Sequence, residues 1–305
     1  MSSEYKIPSS TKPELVEAWS IKPLQFTPKE DCQKHFKSEL QTEIRKLQNK
    51  PNKTFYALLA TPLQKSEPDL ENVLFYNVGP AFFRHLITST SRVRFERSFS
   101  LPISSGNLET NFSCYQCYSF LENDTSFLYW RKSQPLAQWE PVEMPPLSSS
   151  TNPGTIWYEL KKHPLQYISE SRELPSHFGL RITLTHSPFA ENRNPASLIK
   201  PLLDGVIVSF HAHTGEDIEE LSRKLEQILQ KPAGSLASFL TDKSRAVLGV
   251  RPLFIKRQDP YKSLWNPADD RCKAVEIFLR EDHARKWSLS GELFTVEYVS
   301  ETQKL

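Results

Sequence analysis

The hydrophobic positions of this chain fall into short β-prone runs separated by amphipathic helical blocks. Residues 28–50, "PKEDCQKHFKSELQTEIRKLQNK", set Phe36, Leu40, Ile44 and Leu47 at helical spacing among charges, which predicts a surface helix with one apolar stripe. "TFYALLAT" (54–61) and "NVLFYNVG" (72–79) are apolar runs ended by turn residues and read as strands. "PAFFRHLIT" reads as a short helix. "RVRFERSFSLP" (92–102) alternates Val93, Phe95 and Phe99 with charges, as a half-exposed strand would. "NFSCYQCYSFLE" and "SFLYWRK" read as an antiparallel pair joined by the turn "NDT".

The Pro/Ser-rich stretch "PPLSSSTNPG" (145–154) reads as a linker. After it, "TIWYELKK" and "HFGLRITLTHSP" read as strands, and helical patterns cover 197–213, 216–230 and 234–248. "RPLFIKRQ", "CKAVEIFLR" and "SGELFTVEYV" are β-prone runs that close the chain. Strands, then helices, then strands predict an α+β fold, with an antiparallel-rich sheet on each side of the linker. Residues 1–29 read as an extended arm, 30–147 as an α+β N-terminal domain and 152–305 as an α+β C-terminal domain. No repeat of fixed period is visible in the sequence.

Composition narrows the function classes. With 305 residues, 38% hydrophobic and 11% aromatic, the chain can build a substantial core. Only 9 Gly stand against 23 Pro, and no GxGxxG or Walker-type loop is present. The common nucleotide-binding enzymes are therefore disfavoured. A net charge of +2 gives no global reason to expect nucleic acid. Cys32, Cys114, Cys117 and Cys272 are too few for a disulfide framework. The N-terminus lacks the apolar segment of a signal peptide. No window approaches the roughly 18 apolar residues of a membrane span. The expectation is a cytoplasmic protein with no membrane partner.

Candidate chemistry concentrates in residues 194–217, "NPASLIKPLLDGVIVSFHAHTGED". On a helix over 196–211, Leu198, Ile199, Leu202, Leu203, Val206, Ile207 and Phe210 form one face, with Ser197, Lys200, Asp204 and His211 opposite. Lys200 and Asp204 are four apart and can meet. The plain alternative is a core helix carrying a surface ion pair worth about 0.3–0.5 kcal/mol. Pro201 fits if the helix proper begins just before it.

A strand, the polar loop "FAENRN" and this helix follow one another. Over residues 180–210 the arrangement resembles the RusA-type Holliday-junction resolvases. The signature of that family is Asp-x-Asp-Asn, two residues, Lys, three residues, Asp. Lys200 matches its lysine and Asp204 its last aspartate. Asn194 and Ala196 stand where the family has its two magnesium-binding aspartates, and Ser197 where it has Asn. Magnesium needs hard anionic oxygen, which Asn supplies weakly and Ala not at all. The resemblance therefore implies a shared strand–loop–helix unit whose site is decayed or relocated.

Other motifs compete. His186, His211 and His213, with Glu191, Asp204, Glu216 and Asp217 nearby, have the residue types of a divalent-metal site. "HAHTGED" also reads as a helix end with Gly215 as its cap. Glu159-x-Lys161 in a strand would be the second half of a PD-(D/E)xK nuclease motif, with "EPDLEN" (67–72) the only formal source of its Asp. Cys114-x-x-Cys117 on a strand points its thiols to opposite sides, which argues against chelation. "NPADD" is turn chemistry, and its Asp269 and Asp270 lead into a strand from which they could reach a metal held elsewhere.

Three functions are compatible with these readings. The first is a non-catalytic binding protein of bacterial type, without cofactor, contacting nucleic acid through Arg181, Arg193, Lys200, Lys224 and Arg245. The second is a divalent-metal-dependent nuclease using Asp204, His211 and His213, with Glu216, Asp217 and Asp269 or Asp270 as further ligands. The third is an assembly subunit whose aromatics and Pro-rich arms contact a protein partner.

Overall fold

The computed structural model describes residues 4–8, 14–63, 67–88, 90–102, 112–171, 173–187, 194–255, 264–283 and 286–299. Its first part contains β1 (Tyr5–Lys6), β2 (Leu15–Ser20), α1 (Asp31–Lys46), β3 (Thr54–Ala60), helical turns at Asn72–Tyr76 and Pro80–Phe83, α2 (Arg84–Ile87), β4 (Arg92–Ser98) and β5 (Cys114–Leu121). Its second part contains β6 (Trp130–Met144), α3 (Pro153–Lys162), β7 (Tyr167–Ile168), β8 (Phe178–His186), a helical turn at Pro195–Leu198 and α4 (Ile199–Ser209). Then come β9 (Ala212–His213), α5 (Ile218–Leu229), α6 (Ala233–Thr241), β10 (Val250–Arg251), β11 (Phe254–Ile255), β12 (Leu264–Trp265), a turn at Asp269–Arg271, β13 (Cys272–Glu281) and β14 (Trp287–Tyr298).

The fold is α+β, and one mostly antiparallel sheet runs through both parts in the order β1-β2-β5-β3-β4-β13-β8-β14-β6-β7. That order contains a duplication. In the first part, a strand, a helix, a strand, helical turns and two strands lie as β2-β5-β3-β4, with β3 and β4 parallel. The second part repeats the connection, with β6, β8, β13 and β14 in the roles of β2, β3, β4 and β5. Its parallel pair is β8 and β13. The two units join by antiparallel pairing of β4 with β13, Arg94 opposite Glu276. The sheet is thus related to itself by a pseudo-twofold at the β4–β13 seam. Its sequence trace is too weak for a period search, because the two units share topology and not spacing.

The continuous sheet revises several expectations. Residues 15–20 are a strand within the sheet rather than part of an arm. The Pro/Ser stretch near 145–154 does not divide the sheet, since β6 pairs with β14 while β4 pairs with β13. β5 pairs with β2 and β3, not with β6. "NVLFYNVG" is helical over Asn72–Tyr76, where Gln116 Nε2 and Tyr118 Oη donate to the carbonyls of Val73 and Leu74. "TIWYELKK" is helical because Asn152 caps it, accepting from the Gly154 amide at 2.8 Å, and Pro153 occupies its first position. Short apolar runs do not separate helix from strand, and capping decides here. β4 is buried rather than half-exposed, because β3 and β13 flank it. Ala212–His213 is a strand paired with β10, so the helix over 197–213 ends earlier than its periodicity predicts.

Helices α1, α3 and α4 cover one face of the sheet. Phe36, Leu40 and Ile44 of α1 are buried there with Phe55, Phe95, Leu180, Ile277 and Leu293. α4 presses against α3 at Gly205, where any Cβ would meet Ile156 Cβ at 2.7 Å and the Pro153 carbonyl at 2.8 Å. Leu202, Leu203, Val206 and Ile207 of α4 are buried, as its apolar face predicts. Pro201 lies in the first turn of α4, where its missing N–H costs no hydrogen bond. Cys114 packs on the helix face and Cys117 on the opposite face, the divergence expected of a strand. Among the described residues no helix is long and apolar enough to cross a membrane.

Candidate metal centre

The seam between the units gathers carboxylates. Asp69 and Glu71 lie at the entrance to the helical turn that follows β3. Asp269 lies in the turn that leads into β13. β4 runs parallel to β3 and antiparallel to β13, so the end of β3 and the start of β13 share one edge of the sheet. One oxygen from each of Asp69, Glu71 and Asp269 lies within 4.8 Å of the others, a spacing that could hold a metal ion. From α4, Lys200 Nζ reaches Glu71 Oε1 at 3.2 Å and Asp204 Oδ1 at 3.3 Å. Asn72 Nδ2 donates to Asp69 Oδ2 at 2.5 Å.

The electrostatics are unbalanced. Four carboxyls face one lysine. Glu71 is 2% exposed, and Asp204 and Asp269 are each 8% exposed. The Asp269 carbonyl accepts from the Cys272 amide, but its carboxylate has no hydrogen-bond or ion-pair partner among the described residues. Burial, then the charges of Glu71, Asp69 and Asp204, push the Asp269 carboxyl up to about 9. Burial pushes Glu71 up to about 7, with Lys200 opposing and Asp204 and Asp69 adding to the rise. Burial likewise raises Asp204. Burial alone would lower Lys200, but Glu71, Asp204, Asp269 and Asp69 reverse this and hold it above the usual lysine value. Lys200 is therefore a fixed cation. A small crevice of about 10 Å³ lined by Glu71, Tyr76, Ala196, Ser197 and Lys200 touches Glu71 and Lys200, but Asp69, Asp204 and Asp269 do not line it.

The residues singled out in the sequence divide. Lys200, Asp204 and Asp269 come together. His211 and His213 do not join them, which corrects the ligand set drawn from "HAHTGED". His211 is fully buried, with Nδ1 at 3.1 Å from the Gly249 carbonyl, and burial pushes it down to about 3. His213 Nδ1 accepts from the Gly215 amide at 2.9 Å, with Glu216 and Asp217 as its charged neighbours. Asp270 lies next to the cluster in sequence, and its carbonyl accepts from Lys273 Nζ. His186 sits at the end of β8, Nδ1 at 2.8 Å from the Ser187 carbonyl. Glu159 and Lys161 are on helix α3, where Glu159 pairs with Lys162 and Lys161 donates to the His211 carbonyl at 3.3 Å. Strand alternation therefore does not bring those two together.

The basic residues expected at a nucleic-acid surface do not form one face. Arg181 lies on the sheet face away from the helices, bound to Glu276 at 2.7 Å and Glu292 at 2.9 Å. Lys200 is in the helix layer, within the acidic cluster. Arg245 donates to the carbonyls of Leu160 at 3.0 Å and His163 at 2.7 Å. Lys224 pairs with Glu220 on the exposed side of α5. Arg193 and Glu191 lie outside the described residues.

Of the three converging acids, Asp69 enters the sequence reading only as the formal Asp of a PD-(D/E)xK motif, and Glu71 is not singled out as a ligand. "DLEN" (69–72) reads Asp-x-acid-Asn, and Lys200 and Asp204 stand in the other unit. Phe75 and Gly79 occupy the Lys and last Asp positions after "DLEN", as Asn194 and Ala196 occupy the first two before Lys200. A search for half-signatures would have found the pair. Comparison of the chain with protein-family models, with curated proteins and with solved structures finds no match.

Proposed function

We propose that this chain is a divalent-cation-dependent phosphodiesterase acting on nucleic acid, with Asp69, Glu71 and Asp269 as ligands and Asp204 and Lys200 beside them. The observation that carries this reading is the convergence of three carboxylate oxygens within 4.8 Å, one of them from the buried and unpartnered Asp269 carboxylate. Clustered carboxylates are the donor set of a hard cation. With all four acids ionised and Lys200 charged, the site carries −3, and one divalent ion would reduce this to −1. Such an ion lowers the pKa of bound water and stabilises charge on a phosphoryl oxygen. Lys200, permanently charged, would bind a phosphate oxygen but could not take a proton.

The nucleic-acid part rests on the resemblance to RusA-type resolvases, in a form that differs from the sequence expectation. The site is read as relocated, not decayed. On this reading each unit would supply the half of the signature that the other lacks; the proximity of Lys200 to Glu71 supports it.

Cleavage of branched and linear DNA and RNA in Mg²⁺ or Mn²⁺ tests the proposal. The wild type is expected to cleave at least one of these, and Asp69→Asn or Asp269→Asn to reduce the rate by at least 100-fold. Mn²⁺ binding with no cleavage would limit the reading to a cation-dependent binding protein. Absence of both cleavage and Mn²⁺ binding would overturn it.

A further inference from the structure

The loop carrying Asp69 and Glu71 and the turn carrying Asp269 come from opposite units, yet their carboxylates must meet within a few ångströms. A buried ionic clamp lies beside both. Arg97 on β4 and Lys273 on β13 are each 1% exposed. Lys273 Nζ donates to Glu67 Oε2 and to the Asp270 carbonyl. Arg97 pairs with the same Glu67 oxygen at 3.2 Å and donates to Thr61 Oγ1 at 3.1 Å and to the Pro68 carbonyl. Glu67 and Pro68 immediately precede Asp69, and Asp270 immediately follows Asp269.

We infer that Lys273 is a positioning residue for the cation site: through Glu67 and the Asp270 carbonyl it fixes the distance between the Asp69–Glu71 loop and Asp269. This rests on the proposed function above. The physical case is one of geometry. A buried ion pair is a weak source of stability, because desolvation opposes its attraction, but it fixes registry when its partners lie on different segments. Among the described residues, both hydrogen bonds of Lys273 end within two residues of a proposed ligand, while its Nζ also sits over the Phe99 ring. Lys273 itself points to no proposed ligand oxygen, so its effect on the cation is indirect. Groups that orient metal ligands typically change metal affinity 10- to 100-fold when removed.

The test is Mn²⁺ titration of the full chain, read by calorimetry, alongside cleavage measured against Mn²⁺ concentration. Lys273→Met is expected to weaken Mn²⁺ binding about 10- to 100-fold. Saturating Mn²⁺ is expected to restore the cleavage rate, since all the ligands remain. Lys273→Met leaves Glu67 buried and unpaired except by Arg97, so Lys273→Met with Glu67→Gln is the second variant. It removes both charges and is expected to show the same loss of affinity. Lys273→Arg, which keeps the charge, is expected to recover part of it. Unchanged affinity in either folded variant overturns the positioning role. If instead the wild type binds no Mn²⁺, the proposed cation site fails first. Binding that Asp269→Asn abolishes but Lys273→Met leaves intact would overturn the positioning role alone.

Discussion

The two units of the sheet share a connection and differ in almost everything hung on it. Between its second and third strands the first unit has, among the described residues, only short helical turns and α2, and Ile87 is followed closely by Arg92 of β4. At the same place the second unit has α4 and then an insertion, β9 to β12, with α5 and α6 packing around Trp157, Val208, Leu221, Leu225, Leu236 and Leu240. Their backs differ too. Behind the first unit Trp19, Tyr56, Leu58, Tyr115 and Cys117 make an apolar cluster. Behind the second, the Arg181–Glu292 ion pair lies beside a smaller apolar cluster of Trp130, Ala274, Phe294 and Val296. The chemistry differs most. One unit holds "DLEN" and the other Lys200 and Asp204. The two units repeat one backbone path but not these side chains, so the carboxylate cluster forms only where the sheet is continuous across β4 and β13.

That continuity can be broken experimentally. Leu203, 1% exposed on α4, packs in the core cluster that spans both units. Leu203→Ala is expected to cost about 2–5 kcal/mol in urea unfolding. Tryptophan fluorescence and far-ultraviolet circular dichroism are expected to report coincident transitions for wild type and variant. Two separated transitions would show that the units are independent, and the composite site would lose its foundation.

A second, smaller effect concerns pH. Glu71 near 7 and Asp269 near 9 sit above the roughly 4 of an unfolded carboxyl. Their folded state holds protons more tightly than the unfolded one. The stability this contributes is complete below about pH 4 and is lost as pH rises through about 7 and then about 9. A divalent ion bound at the proposed site would compete with those protons, so its stabilising effect would grow in the same range. The rise in melting temperature produced by Mn²⁺ is expected to be larger at pH 8 than at pH 6. An equal rise at both values would mean that no ligand loses a proton on binding.

Much of the scaffold was legible. The stripe of α1, the strands β8 and β14 and the buried face of α4 follow from periodicity, and β3 and β13 from apolar runs, β3 being buried on both faces. "NVLFYNVG" and "TIWYELKK" misled because their apolar runs are too short for period to outweigh local capping and tertiary hydrogen bonds. The site was half legible. Lys200 and Asp204 stood out by spacing, four apart on one helix face. Asp69 and Asp269 are 200 residues apart and are joined by strand order alone, which no local pattern encodes. The histidines drew attention by residue type, yet His211 is a neutral core side chain.

The smallest predicted effect separates the two faces of the sheet. Glu276 is fully buried and is held by three guanidinium groups, from Arg92, Arg94 and Arg181. Arg94 is 1% exposed and Arg181 is 41% exposed in its side chain. Removing Arg181 leaves Glu276 with two cations, so the carboxylate is not stranded. A half-exposed ion pair of this kind contributes about 0–1 kcal/mol. Arg181→Met is therefore expected to lower the urea unfolding free energy by about 1 kcal/mol or less. Because Arg181 and Lys200 lie on opposite sides of the sheet, the same variant is expected to leave metal-dependent cleavage unchanged, while Lys200→Met reduces it. A cleavage loss in Arg181→Met equal to that in Lys200→Met would mean that the substrate reaches the back of the second unit, and the functional difference between the two faces would disappear.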